Sequence, residues 1–406
     1  MANTLKFGNG TWATKEGSAL AYNDENGNYK PLPFNFDRAS SATRVNKEGL
    51  IEVVGRDKPR IDYTDSAEGA LLLEPQRTNS ILYSNGFGNS AWEKGATGTA
   101  SSPVVTSNQG ISPDKTNNAF KIDFNLGGGT TSSDRSRLTE NFTGTSSTEY
   151  VFTFYAKAYS ASDVGKIVNF SVDNVSNEDA NFTLTSEWQR FTFSGTSTGT
   201  FINQHIQLRG NLNTSDTASM LLFGYQAEAG SHPTSYIPTQ GSAVTRVADV
   251  CDNGGNDQVI NSTEGVLYAE IAALTDTSDA SKFIAISDGS YNNRASILFS
   301  NGATNQIRTF LRVGGVPQID VSANVTDVTD FNKVAFSYKE NDFKVYINGS
   351  LVSSDTSGSV WSENTITKLS FSEINTSAGL FNGKAKCVAV FKEALSDEEL
   401  QALTRI

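Results

Sequence analysis

The chain has 406 residues, the length of two or three domains, with 37% hydrophobic and 19% charged residues. Its 24 Phe, 13 Tyr and 4 Trp residues are enough for several small cores, which argues against a disordered chain. The net charge of −12, without any Lys/Arg cluster, excludes nucleic acid as a partner, and no apolar run reaches the roughly 18 residues of a membrane span.

The first part of the chain is predicted to cover residues 1–78. It begins with MANTLKFGNG, which has neither the basic nor the apolar region of a secretory signal. The apolar strand Leu71–Leu73 stops before Pro75, which has no N–H for a ladder. The stretch EPQRTN that follows is predicted to be a seam between two units, with Arg77 held by local backbone carbonyls or by an acid of the first part. The candidates for attachment or an interface are Trp12, Arg44 and Arg77.

The second part, residues 79–240, is predicted to be a β-sandwich. In EYVFTFYAKAY the apolar side chains from Tyr150 to Ala158 alternate, which is typical of a strand with one buried face. Trp92 and Trp188 are assigned to the core of this sandwich. The Pro- and Gly-containing stretch AEAGSHPTSYIPTQGSA is typical of a linker at its end.

The third part, residues 241–406, begins where AVTRV repeats the earlier SATRV. In KVAFSYKENDFKVYINGSLV two alternating runs lead to Asn348-Gly349, which predicts a type I′ hairpin turn. A single helix is predicted after Ser396, which forms a capping box with Glu399. The fold class is therefore all-β: two tandem β-sandwich (jelly-roll) domains after an N-terminal β-rich attachment segment, with one short C-terminal helix.

The residue types give little support for catalysis. Gly195–Gly199 fits the pattern G-x-S-x-G, but strands are predicted on both sides where a nucleophile elbow needs a helix on one side. The two histidines, His205 and His232, form no H-E-x-x-H motif. We predict no enzyme and no catalytic residue. Cys251 and Cys387 are either two free buried thiols or a disulfide, if their strands are neighbours.

Three stretches carry a resemblance to known families. FNFDRASSATRVNKEGLIEVVGRDKPRIDY and GALLLEPQRTNSILYSNGF, within about residues 34–92, resemble a module of tailed-bacteriophage virion proteins that precedes a carbohydrate-binding-module-like sandwich. LLFGYQAEAGSHPTSYIPTQGSAVTRVAD resembles the closing segment of that sandwich. Residues from about 262 to 406, through FKVYINGSLV to ALSDEELQALT, resemble a laminin-G-like or concanavalin-A-like jelly roll.

The resemblance implies a tail-fibre or head-fibre protein on the virion surface, with a homotrimer as the expected state. Its expected partners are other virion proteins and a host-surface polysaccharide, with no nucleic acid and no membrane insertion. The glycan-binding candidates are Trp361, Tyr291, Asn292 and Arg294, because exposed aromatic rings stack on sugars while amides and guanidinium groups read hydroxyls. Core positions for Trp361 and Tyr291 remain an alternative.

Calcium is the only cofactor that the resemblance suggests. Asp288 is the candidate ligand, in the turn SDGSYNNR, although an Asx turn that satisfies its own hydrogen bonds explains the same residues. In the middle part, Gly88 and Gln226 stand where acids would be typical. Two other functions stay open: a purely structural decoration or assembly protein, and a glycan-cleaving enzyme.

Overall fold

The structure, a computed structural model, describes residues 5–23, 30–177, 179–276, 282–300, 302–374 and 379–406, without the side chains of residues 22–32. The first strands are β1 (Leu5–Gly8), β2 (Thr14–Lys15), β3 (Ser18–Asn23), β4 (Lys30–Asp37), β5 (Ala42–Val45), β6 (Ile51–Val54), β7 (Arg60–Asp62) and β8 (Ala70–Leu73).

The middle strands are β9 (Arg77–Asn79), β10 (Glu93–Thr97), β11 (Ser101–Gly110), β12 (Ala119–Asn125), β13 (Arg135–Thr143), β14 (Glu149–Ala158), β15 (Ile167–Asp173), β16 (Asp179–Thr183), β17 (Gln189–Thr196), β18 (Phe201–Arg209), β19 (Thr217–Ala229) and β20 (Val244–Arg246). A short 3₁₀ helix at Ala161–Asp163 lies between β14 and β15.

The last strands are β21 (Val250–Asp252), β22 (Glu264–Ala273), β23 (Lys282–Ser287), β24 (Arg294–Phe299), β25 (Gln306–Val313), β26 (Val316–Asn324), β27 (Asn332–Lys339), β28 (Asp342–Ile347), β29 (Ser350–Asp355), β30 (Lys368–Ser370) and β31 (Gly383–Phe391). The α-helix of the described residues, α1 (Asp397–Thr404), follows β31. The all-β class with one short C-terminal helix is thereby confirmed. No described helix has the length and apolarity needed to cross a membrane.

The chain forms two compact units. Unit 1 consists of residues 1–49, 53–76 and 247–406, and unit 2 of residues 50–52 and 77–246. The three-part division made from the sequence stays a prediction, but the N-terminal strands do not form a body of their own. They extend a sheet of unit 1. One edge of β31 pairs with β22, and β8 and β1 pair with successive parts of its other edge.

Unit 1 is a sandwich of two sheets. The larger has the order β21-β4-β3-β1-β31-β22-β27-β28-β29, and the smaller has the order β26-β25-β24-β23-β30. Apolar side chains from both sheets, such as Leu267 and Ile284, meet in one core. Cys251 and Cys387 are buried free thiols, so no disulfide joins them. Burial raises the pKa of both thiols, to about 12 for Cys387, which makes them unreactive near neutral pH.

The outer side of the large sheet carries α1. The Ser396 hydroxyl accepts a hydrogen bond from the Glu399 amide, and the Glu399 carboxylate accepts one from the Ser396 amide at 2.9 Å. The predicted capping box is therefore present. Leu400 is fully buried in a cluster with Ala335 and Tyr346, and the helix packs against β27 and β28.

Unit 2 is a sandwich of two five-stranded sheets. One has the order β10-β13-β18-β15-β16, and the other has the order β11-β12-β19-β14-β17. The core between them is rich in aromatic rings, and it includes Trp92 as predicted. Trp188 differs from the prediction: it is half-buried outside this core and donates a hydrogen bond to the Ile111 carbonyl at 3.0 Å, because its strand begins one residue later, at the sheet edge.

Candidate functional site

The turn before β24 holds most of the residues that the sequence proposed for glycan binding. Tyr291 is half-exposed and Asn292 is exposed, so both remain accessible. Arg294 is buried: its guanidinium pairs with the Glu373 carboxylate at 3.0 Å and donates to the Tyr291 carbonyl. Arg294 therefore supports the turn from below, while Tyr291 and Asn292 stay predicted contacts.

Trp361 does not fit its predicted role. It is 2% exposed and packs edge-on against Tyr338 at 5.5 Å between ring centroids. Its indole N–H donates to the Arg312 carbonyl at 2.7 Å. A sugar cannot stack on a ring that lies inside the core, so the glycan role of Trp361 is corrected to a core role.

The calcium candidate Asp288 forms the Asx turn that the sequence left open as an alternative. Its carboxylate accepts hydrogen bonds from the Ser290 amide at 2.7 Å and from the Asn293 side-chain amide at 2.8 Å. Burial opposes the charge, but these bonds prevail and lower the pKa of Asp288. Within the described ranges no three His, Cys, Asp or Glu side chains cluster as metal ligands. Calcium binding stays an untested prediction.

The three attachment candidates lie in different surroundings. The Trp12 indole donates to the Glu68 carbonyl at 2.7 Å, and its ring packs on Phe7, so it braces unit 1 internally. Arg44 donates to the Ile61 carbonyl at 3.3 Å. Arg77 lies beside Gly230, where an added Cβ would come within 2.6 Å of its guanidinium. An interface role for these residues remains a prediction.

A different site stands out in unit 2, on the outer face of the sheet β10-β13-β18-β15-β16. Along β13 and β18, side chains that face the core, such as Leu138 and Ile206, alternate with polar ones that face outward. Cross-strand pairing aligns the outward side chains in rows. We call this surface the polar face, and its residues are Glu93, Arg135, Arg137, Thr139, Asn169, Ser171, Asp173, Asn181, Asn203, His205, Gln207 and Arg209.

The central row crosses all five strands of this sheet. From edge to edge it contains Gly95, Arg137, Gln207, Asn169 and Asn181. The Gln207 amide donates to the Asn169 carbonyl oxygen at 3.0 Å, and the Asn169 amide donates to that of Asn181 at 3.0 Å. Gln207 and Asn169 are each 1% exposed although they point away from the core. The side-chain amides of Gln207, Asn169 and Asn181 therefore form a hydrogen-bonded line, and these bonds fix their rotamers in the absence of a ligand.

The neighbouring row is built around His205. The imidazole Nδ1 lies 2.8 Å from the Thr139 hydroxyl, and Nε2 lies 3.2 Å from the Asp173 carboxylate. The hydrogen bond from His205 holds the pKa of Asp173 below its ordinary range, so this carboxylate is charged. A charged acceptor at Asp173 fixes the N–H on Nε2, which leaves Nδ1 to accept from Thr139.

Two atoms of the central row lack a hydrogen-bond partner among the described residues. They are the Oε1 oxygen of Gln207 and the Nε nitrogen of Arg137, both buried, on residues that are directly opposite in the β13–β18 ladder. A buried donor or acceptor that is left unsatisfied is costly. Hydroxyl groups, which both donate and accept, would satisfy the pair. The polar face thus has the chemistry of a polyol site.

The polar face was missed in the sequence. The alternation in FINQHIQLR was visible, but Gln204 faces inward, where it accepts from the Tyr225 hydroxyl at 3.2 Å. The inward Glu140 breaks the pattern of β13 in the same way. The strand order that places β18 between β13 and β15 could not be deduced from local patterns.

Unit 1 also has an open cleft of about 720 Å³, lined by Glu16, Asp37, Asp57, Asp252 and Arg56 among others. Burial and the charge of Asp37 raise the pKa of Asp252. Hydrogen bonds from the Arg38 amide and the Arg56 side chain lower the pKa of Asp57. Carboxyl groups with opposite shifts in one cleft are a combination that acid–base catalysis uses. By contrast, the hydroxyl of Ser197, in the G-x-S-x-G match, is buried and donates to backbone carbonyls, so it is no nucleophile.

Comparison with known proteins finds one family model that matches part of the chain. Residues 257–401, all in unit 1, match Laminin_G_3, described as the concanavalin A-like lectin/glucanases superfamily. The laminin-G-like or concanavalin-A-like prediction for this region is thereby confirmed. Among curated proteins no match is found.

Solved structures give weak likenesses of fold. The carbohydrate-binding module CBM40 of the Ruminococcus gnavus IT-sialidase, bound to α2,3-sialyllactose, is 18% identical, with 38% of this chain and 94% of that chain covered and a TM-score of 0.31. Domain 4 of a GH43 extracellular arabinanase from Geobacillus stearothermophilus, in complex with arabinotriose, is 14% identical (43% and 82% covered, TM-score 0.31). Domains LG4-5 of the mouse laminin α1 chain are 7% identical (65% and 87% covered, TM-score 0.26). At these values the likenesses carry no conclusion about ligands.

Proposed function

We propose that the protein binds glycans through the polar face of unit 2 and attaches a bacteriophage particle to its host surface. The observation that carries glycan binding is the ordered central row with an unsatisfied donor and acceptor, on Arg137 and Gln207, at its middle. Sugar hydroxyls satisfy both kinds of atom. The virion location is supported by the resemblance of about residues 34–92 to tailed-bacteriophage virion proteins.

The length of β18 limits the length of a ligand that lies along the polar face. Phe201 and Arg209 mark the two ends of β18, and eight steps of about 3.3 Å separate them by roughly 26 Å. This is the length of a short oligosaccharide. Phe201 is 52% exposed at one end, where it offers an aromatic surface to a sugar ring. A single site of this kind binds weakly, so attachment would rely on several copies per particle, such as those of a homotrimer.

Glycan binding is tested with two matched variants of the full chain. Gln207→Ala removes the centre of the row, whereas Gln189→Ala removes an exposed glutamine at the start of β17, in the other sheet. We expect array binding and host-cell binding to fall at least tenfold for Gln207→Ala and to stay unchanged for Gln189→Ala. The melting temperatures of both variants are measured alongside. Binding that survives Gln207→Ala in a folded protein contradicts this site.

The virion role is tested separately by the native mass from light scattering. The monomer is 43.6 kDa, and a trimer has about three times this mass. A trimer that coats host cells supports the attachment role. Absence of binding to every glycan and to host cells would favour a purely structural role in which the sandwiches contact only other virion proteins.

A glycan-cleaving activity is the second candidate, because the unit 1 cleft combines carboxyl groups of raised and lowered pKa at Asp252 and Asp57. The test is release of reducing ends from host polysaccharide. Release that disappears in Asp252→Asn would establish cleavage, and no release would eliminate this candidate.

A further inference from the structure

Three guanidinium groups gather at one end of the polar face. Arg135 and Arg209 are directly opposite each other in the β13–β18 ladder, and Arg137 follows Arg135 on the same face of β13. Opposed side chains have Cβ atoms about 5 Å apart, and like charges in such positions destabilise a sheet. A chain with a net charge of −12 thus concentrates positive charge on this one area.

Carboxylates of the protein approach these arginines without forming an ion pair with them. No carboxylate of the described residues forms a salt bridge with any of the three arginines. The Nε groups of Arg135 and Arg209 both point to the Ser132 carbonyl, at 2.9 and 3.4 Å. Burial, together with the charges of Arg209 and Arg137, lowers the pKa of Arg135, and the charges of Asp173 and Asp179 oppose this shift. The net shift shows that these carboxylates offset the repulsion only in part, so an added anion would still relieve it.

Gly95 keeps the position of Arg137 open. It faces Arg137 across the β10–β13 ladder, and a Cβ added there would lie 3.1 Å from the arginine Nε and 3.4 Å from its Cγ. The Arg137 side chain therefore lies over Gly95, where the Glu93 carboxylate also approaches, with its Oε1 3.6 Å from the same added Cβ. A second, independent feature marks the residue opposite Arg137: Gln207 is 1% exposed, and its Oε1 oxygen has no hydrogen-bond partner among the described residues.

We propose that the polar face selects anionic glycans, with the acidic group of the sugar held by Arg135, Arg137 and Arg209 and a neighbouring hydroxyl held by Gln207. This inference rests on the proposed function and names its substrate class. Guanidinium groups bind the oxygens of carboxylates and sulfates in pairs, through two parallel hydrogen bonds. The acidic group would neutralise the three arginines, and an adjacent hydroxyl donates to the Gln207 oxygen.

The test compares charged and neutral glycans on one array. The array contains uronic and sialic acid oligosaccharides, their carboxyl-reduced forms, sulfated oligosaccharides and neutral oligosaccharides. Wild type is compared with Arg137→Gln, and Arg405→Gln is the matched control because Arg405 is an exposed arginine of unit 1 directly after α1. Gly95→Val, which displaces the Arg137 side chain without changing charge, replaces Arg137→Gln if that variant fails to fold.

We expect binding to acidic glycans only, a loss of about ten- to hundredfold in Arg137→Gln, and no loss in Arg405→Gln. Loss of signal on carboxyl reduction identifies the carboxylate, and equal binding of sulfated glycans identifies a general anion site. Binding of neutral glycans that Arg137→Gln leaves intact, but Gln207→Ala abolishes, overturns the inference and leaves the proposed function in place. Binding that neither variant affects, or no binding at all, overturns both.

Discussion

Glu140 gives the sharpest test of the structure of unit 2, because it is a carboxyl group inside the sandwich. It is 2% exposed, it accepts one hydrogen bond from the Leu82 amide at 2.9 Å, and its second oxygen has no partner among the described residues. Burial raises the pKa of Glu140 from 4.5 to about 7, which outweighs the opposing effect of the Leu82 bond. The folded protein therefore holds a proton that the unfolded chain releases at lower pH.

The consequence is a loss of stability as the pH rises. Below pH 4.5 both states are protonated and the effect is absent; between 4.5 and about 7 the unfolded state is favoured progressively, and above 7 the loss is complete. The rise in the pKa of Glu140 from 4.5 to about 7 corresponds to a loss of roughly 3 kcal/mol in the free energy of unfolding. Glu140→Gln has almost the same shape as the protonated side chain and cannot ionise, so it removes this loss.

The assay is urea unfolding of wild type and Glu140→Gln at pH 4 and pH 8. We expect similar free energies of unfolding for the two proteins at pH 4, and a variant that is more stable by about 3 kcal/mol at pH 8. Because only the difference between the proteins is used, other titrating groups cancel. A stability difference that is the same at both pH values would refute the argument, since it would mean that Glu140 is not a buried titrating group.

Three further changes test unit 1. Trp361→Ala should lower the free energy of unfolding by about 3–5 kcal/mol in urea, because it empties a core position, yet leave array binding unchanged; a stable variant that loses glycan binding would restore the surface role. Arg60→Met leaves the buried carboxylates of Asp249 and Glu74 without this cation and should cost about 3–5 kcal/mol by the same method, whereas a neutral effect would show that the ion pairs are dispensable. Ser396→Ala removes the cap of α1 and should cost about 1 kcal/mol, measured as a lower urea midpoint, and an unchanged midpoint would mean that packing alone holds the helix.

The sequence predicted those parts of the fold that depend on neighbouring residues. Asn348 and Gly349 form the turn between β28 and β29 with φ values of 50° and 80°, as a type I′ turn requires. The capping box likewise depends only on the four consecutive residues from Ser396 to Glu399. Both signals succeed because the interaction that fixes the backbone lies within the quoted stretch.

Positions that depend on distant partners could not be predicted. Trp361 is surrounded in sequence by Ser, Gly and Asn, which is typical of an exposed loop, yet its partners Tyr338 and Arg312 bring it inside. The polar face has the same cause on a larger scale. Arg137, Gln207 and Asn169 become one row only because β18 lies between β13 and β15, and no local pattern specifies this order.

The pairing of β1 with β31 has a consequence for how the protein is made. One edge of Leu5–Gly8 pairs with β3, but the partner of its other edge is at residues 387–390, so the strand is covered on both edges only after almost the whole chain is made. At 5–20 residues per second, this delay is roughly 20 to 80 s. Unit 2 faces a shorter delay of roughly 8 to 33 s, because β9 and β20, which pair its two ends, are 165 residues apart at Asn79 and Val244. We therefore expect unit 2 to fold on the ribosome before the apolar N-terminal strands of unit 1 are covered by β31. During this time these strands are exposed to aggregation. The yield of folded protein should then depend more on chaperones than on the stability of the final sheet.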